Sequence, residues 1–237
     1  MRHRTAFLFV CAIMTLILAG SVHAGGWMIV VLRDMPEYAI ARQPFALAFS
    51  VFEAGDLPRN DLKPTITAES GNKVVHAPAR RSEMPGAYTA SLTLPHSGKW
   101  AIRISATGSD TFSQAAGIRL PELAVVAHGS AAPPAMSKVD RGERLFIAKD
   151  CVFCHGSESG QLGIALKSVV SGDPPVDLVA DLNSGRVSEA FLKVFLANPR
   201  PEMVPNSDSA GLYMPNLHLS PSEIDALVAF IKSGRLK

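Results

Sequence analysis

Cys151-Val152-Phe153-Cys154-His155 is the stretch on which the reading of this chain turns. Two cysteines three positions apart share one face of a helical turn, and the next residue adds an imidazole. In that arrangement both thiols can add to the two vinyl groups of one haem, with His155 beneath the iron as proximal ligand. Other uses of such a pair fit less well. A structural zinc site needs four nitrogen or sulfur ligands, and no second cysteine pair exists. A thioredoxin-like redox pair opens a helix in a βαβ setting, a pattern missing around Cys151. A plain disulfide remains the simplest alternative in an exported protein.

Export is expected from the first residues. Arg2 and Arg4 precede an apolar run from Ala6 to Gly20, broken only by Thr15. Val22-His23-Ala24 then supplies small residues at the positions a signal peptidase reads, so residues 1–24 are expected to be a signal peptide cleaved after Ala24. The run is shorter than the roughly 20 residues that cross a bilayer, which argues against a retained anchor. Of three cysteines, Cys11 leaves with the signal, and Cys151 and Cys154 remain. Loss of Arg2 and Arg4 brings the formal charge from +2 to zero, which leaves no electrostatic footprint for nucleic acid.

Moving outward from the motif, the hydrophobic period changes. From Trp27 to about Leu120 it is two: Phe45, Leu47, Phe49 and Val51 alternate with small residues, as do Tyr88, Ala90, Leu92 and Leu94 with polar ones. Trp100, Ile102 and Ile104 follow the turn Pro95-His96-Ser97-Gly98, and β-prone pieces occur at Met28–Leu32, Thr65–Ala68 and Lys73–Val75. About seven short strands at this spacing predict an all-β, antiparallel, immunoglobulin-like sandwich over residues 25–122. A segment rich in Gly, Ser, Ala and Pro between His128 and Ser137 marks a linker, placed at 123–136. Removal of residues 1–135 is expected to leave the rest folded.

Beyond the linker the pattern is helical, which predicts an all-α domain over 137–237. A short helix runs from Asp140 to Lys149 into the cysteines, and another from Val187 to Ala197, with Phe191, Val194 and Phe195 on one face. The last helix is fully punctuated. Ser220 is the N-cap, Pro221 suits the first turn and Glu223 completes a capping box. Leu219 and Ile224 form a hydrophobic staple, Ile224, Leu227, Val228 and Ile231 make an apolar stripe, and Gly234 ends it.

A six-coordinate iron needs a ligand on the other face of the haem. Met214, in Tyr213-Met214-Pro215, is the first choice, because Pro215 holds it extended and the capped helix beyond fixes the loop's exit. Met203, in Pro201-Glu202-Met203-Val204-Pro205, and His218 are the rivals. In the β-region Met28, Met35, His76, Met84 and His96 are candidates for a copper site, although such residues more often fill cores or sit on surfaces.

With these motifs in place, residues 137–237 resemble a class I cytochrome c domain. Gly142 and Phe146, four apart, match the Gly and aromatic that the family packs against its last helix, where Leu227 and Phe230 stand ready. The segment Leu192–Pro199 resembles the helix before the family's Met loop. The resemblance implies one covalent haem c, His155 and Met214 as axial ligands of the iron, and electron transfer without bond-making chemistry, so no enzyme. One departure stands out: the family's Gly-Pro soon after the motif is here Gly163-Ile164, with Pro174-Pro175 further on. Residues 27–120 more loosely resemble periplasmic YtkA-like immunoglobulin-like domains.

The expected function is a periplasmic or otherwise exported monohaem electron carrier serving redox proteins, a membrane-associated respiratory complex among them. The alternatives are a five-coordinate haem enzyme or ligand sensor, and a copper-handling protein acting through the sandwich. Eleven Lys and Arg against twelve Asp and Glu in residues 137–237 make charge steering of partners modest. Nothing in the pattern calls for a homo-oligomer.

Overall fold

The computed structural model describes residues 28–53, 57–108, 116–155, 178–199 and 214–235. The expected signal segment and Cys11 lie outside them, as do Gly163, Pro174, Pro175 and Met203.

Among the described residues eleven strands precede the helices: β1 Met28–Leu32, β2 Tyr38–Ile40, β3 Pro44–Glu53, β4 Leu57–Pro58, β5 Thr65–Ser70, β6 Lys73–Pro78, β7 Arg80–Arg81, β8 Ala87–Thr93, β9 Gly98–Ala106, β10 Ala116–Arg119 and β11 Leu123–Val126. One sheet runs β1-β3-β8-β7 with β4 on β3, and the other runs β2-β11-β9-β5-β6 with β10 on β9. Alternate side chains of both sheets fill one core, with Phe49, Tyr88 and Leu92 from the first and Ile66, Trp100, Ile102 and Leu123 from the second. Trp100 is wholly buried, and its indole N–H donates to the His96 carbonyl at 3.1 Å.

Three expectations are corrected here. The strand count exceeds seven because β2, β4 and β7 are two or three residues long, too short to show a period. The pairing is mixed, since β11 runs parallel to β2 with Val125 opposite Ala39. That strand also occupies the start of the segment read as linker. Leu123 and Val125 are buried in the sandwich core, so the unstructured connection begins only after Val126.

Among the described residues five helices follow: α1 Lys138–Ala148, α2 Cys151–His155, α3 Leu178–Asn183, α4 Glu189–Ala197 and α5 Pro221–Ser233. Ser137 caps α1 by accepting the Asp140 N–H. The helix does not run on into the cysteines as expected. Asp150 adopts a left-handed φ of 59°, so α2 starts as a separate turn. The buried face of α4 is carried by its leucines. Leu192 and Leu196 face the core, whereas Phe191 and Val194 are exposed, because the inward stripe is offset by one residue from the aromatic one. Helix α5 has the predicted capping box and a left-handed Gly234, and Ile224, Leu227, Val228 and Ile231 are all buried.

Helices α1 and α5 cross where Gly142 has no side chain. A Cβ there would lie 2.6 Å from Phe230 Cβ and overlap the Ala226 carbonyl, so only glycine allows this approach. Beside the crossing, the Phe146 and Phe230 rings meet at a tilt of 56°, with centroids 5.6 Å apart.

The two halves are joined by more than the linker. All five residues of β1 are buried. Met28, Val30 and Leu32 point into the sandwich core, while Ile29 and Val31 belong to the helical core with Leu145, Phe146, Leu217, Ile224 and Phe230. The uninterrupted apolar run Met28–Leu32 is what a strand covered on both faces requires.

Candidate haem-attachment site

The site is built on α2 and on the loop leading into α5. Helix α2 carries Cys151 and His155 one turn apart. Cys151 is half-buried and packs on the helical core, and Met214 borders the same core from the other segment. Of the residues singled out in the sequence, the structure therefore brings Cys151 and Met214 to one apolar cluster. The side chain of Cys154 and the whole of Met203 lie outside the described residues. His218 is exposed, in a left-handed conformation with φ of 50°, and its backbone N–H donates to Asn216 Oδ1 at 2.9 Å.

Burial pushes the pKa of the His155 imidazole down, which favours the neutral form. A neutral imidazole is the form whose nitrogen lone pair can bind a metal. The donor set fits a haem: an imidazole biased to its neutral form one turn from Cys151, which itself packs with the Met214 thioether against one apolar cluster. Among the described residues no group of three or more His, Cys, Asp or Glu could hold a bare metal ion.

Sequence reasoning missed the two residues immediately before the motif. Lys149 and Asp150 are both buried. Lys149 Nζ donates to the Arg33 carbonyl at 3.0 Å and pairs with Glu223 Oε1 at 2.9 Å. Asp150 Oδ2 accepts the Val30 N–H at 3.2 Å, and burial pushes the carboxyl up to about 7, partly opposed by that hydrogen bond. A signal existed in the charged pair Lys149-Asp150 lying between a buried helical stripe and the cysteines.

The sandwich candidates for copper have separate neighbours. Met28 is in the core near Arg59, Met84 Sδ lies 3.5 Å from both terminal nitrogens of Arg33, His76 pairs with Thr67, and His96 stacks on Trp100. Met35 packs on the sandwich core.

Cys151 and His155 thus share one turn of α2, and the helices α1 and α5 cross at Gly142. Residues 139–235 match the cytochrome c family. A curated relative, cytochrome c-551 of Ectopseudomonas mendocina, is 37% identical over 60 residues, covering 25% of this chain and 73% of the relative. The chain belongs to the cytochrome c family, through its C-terminal half, and its cofactor is a covalently bound haem c.

Solved structures similar to the chain include the Lin-41 filamin domain, at 15% identity over 44% of this chain and 98% of that one, with a TM-score of 0.31. A human fibronectin type-III domain gives 16% identity, 48% and 99% coverage and a TM-score of 0.27. A structure from Bacteroides vulgatus described as a glycoside hydrolase gives 13% identity and a TM-score of 0.29, with 40% of this chain but only 17% of that chain covered. Scores this low assign the sandwich no role.

Proposed function

We propose that the protein is an exported monohaem c-type cytochrome that carries single electrons between redox proteins and catalyses no bond-making reaction. The observation that carries this reading is the C-x-x-C-H turn, Cys151 to His155, within the family match at 139–235. Bound haem supplies one-electron chemistry by cycling its iron between ferric and ferrous. The chain's own groups do the rest. Cys151 and Cys154 would hold the haem covalently, each thiol adding its sulfur and its hydrogen across one vinyl group. His155 would bind one face of the iron through its neutral imidazole. Met214 is the ligand proposed for the other face, because it borders the same core as Cys151 and leads through Pro215 towards α5. A thioether favours ferrous iron, so the partners are donors and acceptors of middle to high potential.

Export follows from the expected signal at 1–24 and suits covalent attachment, since the cofactor cannot then be lost by dissociation. No helix among the described residues is long and apolar enough to cross a membrane. An absorption spectrum tests the carrier reading. The reduced protein should show sharp α and β bands and bind carbon monoxide only slowly. Broad bands with rapid carbon monoxide binding would put an open iron, and hence ligand or peroxide chemistry, in its place.

A further inference from the structure

Strand β1 lies at the edge of its sheet, with β3 on one side. Arg33 N–H donates to the Ala48 carbonyl, continuing a ladder in which Val31 lies opposite Ser50 and Ile29 opposite Phe52. Successive peptide groups in such a ladder alternate in direction, so the Val30 N–H points to the open edge. A buried edge donor without a partner is costly. Here the partner comes from the residues that lead into the cysteines. Asp150 accepts the Val30 N–H, and Lys149 donates to the Arg33 carbonyl just past the strand's end.

We propose that β1 is a wall of the haem-binding half, and that Asp150 and Lys149 are positioning residues that lock the attachment helix α2 to it. Three observations converge. Ile29 and Val31 lie in the helical core, and Ala148, at the end of α1, lies in the sandwich core, so the packing interlocks in both directions. Asp150 keeps a left-handed backbone at the junction of α1 and α2, a conformation that aspartate tolerates better than most residues. Its carboxyl also reaches an acceptor position that glycine could not supply. Finally, Lys149 is shared between Arg33 at the end of β1 and Glu223 in the first turn of α5. Both positioning residues directly precede Cys151, so a shift of the sandwich is passed to the attachment helix without an intervening flexible segment. The sandwich and the helices then form one cooperative unit, whichever residue takes the sixth position on iron.

The test uses the full-length, haem-loaded protein. In hydrogen exchange read at the Val30 amide, Asp150→Ala should speed exchange about tenfold or more, and Asp150→Asn, which keeps a carbonyl acceptor, should restore most of the protection. In guanidinium unfolding of a Trp27→Phe background, Trp100 fluorescence reports the sandwich and haem absorbance reports the helices. The mild core change Ile102→Val should lower both midpoints equally. The proposal is overturned if Val30 exchanges at the native rate in Asp150→Ala, or if Ile102→Val moves the fluorescence midpoint and leaves the haem midpoint in place. Should Asp150→Ala fail to fold, the Ile102→Val comparison decides alone.

Discussion

Glu223 and Lys149 form an ion pair of 2.9 Å between a buried ammonium and a half-buried carboxylate that also completes the capping box of α5, its second oxygen accepting the Ser220 N–H at 2.8 Å. Burial alone would push the Glu223 pKa up, but Lys149 and the Ser220 N–H outweigh it and hold the carboxyl below the usual range. Lys149→Met keeps the aliphatic stem and removes the charge, which strands a carboxylate in low dielectric. The cost should be about 3 kcal/mol of unfolding free energy. Adding Glu223→Gln should recover part of it, and denaturant titration of the two variants gives the comparison.

Gly142 makes a second, purely steric prediction. Any Cβ there meets the Ala226 carbonyl and Phe230, both fixed in the middle of α5. Gly142→Ala should therefore destabilise the protein by about 2–3 kcal/mol, despite the better helix propensity of alanine. A thermal melt showing an unchanged or raised midpoint would mean that the helices do not cross at this residue.

Asp150 predicts a pH dependence. Its folded-state pKa, about 7, lies above the ordinary aspartate value of 3.8. The native state therefore binds the proton more tightly than the unfolded chain, and its stabilising effect is complete below the unfolded pKa. It is lost as pH rises from about 4 to 7, then levels off. Asp150→Asn cannot ionise and should become progressively more stable than the native protein across that window. The gain is on the order of 4 kcal/mol at pH 8 if the whole shift is expressed. Unfolding titrations at pH 4, 6 and 8 would measure it, and a constant difference would show that Asp150 does not titrate there.

The parts of this molecule that were legible in the sequence are those with local physical signatures. The Ser220–Glu223 cap and the alternation of Tyr88 to Leu94 each follow from residues close together in the chain, whereas Gly142, whose neighbours Ala226 and Phe230 are distant, was legible only through the family resemblance. The parallel pairing of β2 with β11 was not legible, because nothing in three residues of Tyr38–Ile40 announces a partner some 85 positions away. The same holds for the shared core. Met28–Leu32 reads as one more strand until its odd face is seen against Leu145 and Phe230. Which face of α4 is buried was not legible either, because Phe191 and Val194 share a face that is exposed while two leucines carry the buried one.

The sixth ligand separates a carrier from a catalyst. Met214→Ala should abolish the weak far-red band of thioether sulfur on ferric haem, lower the reduction potential and open the iron to added ligands. Met203→Ala should do none of these. If the two variants behave the other way round, the ligand assignment must be exchanged.

The most direct measurement of the central claim is the intact mass of the exported protein under denaturing conditions, with Cys151→Ala/Cys154→Ala measured beside it. Covalent attachment at this pair predicts that the native chain carries an increment of one haem that survives denaturation, and that the double variant has none. A native chain whose haem falls away on denaturation, or a double variant that still holds it, would contradict the account.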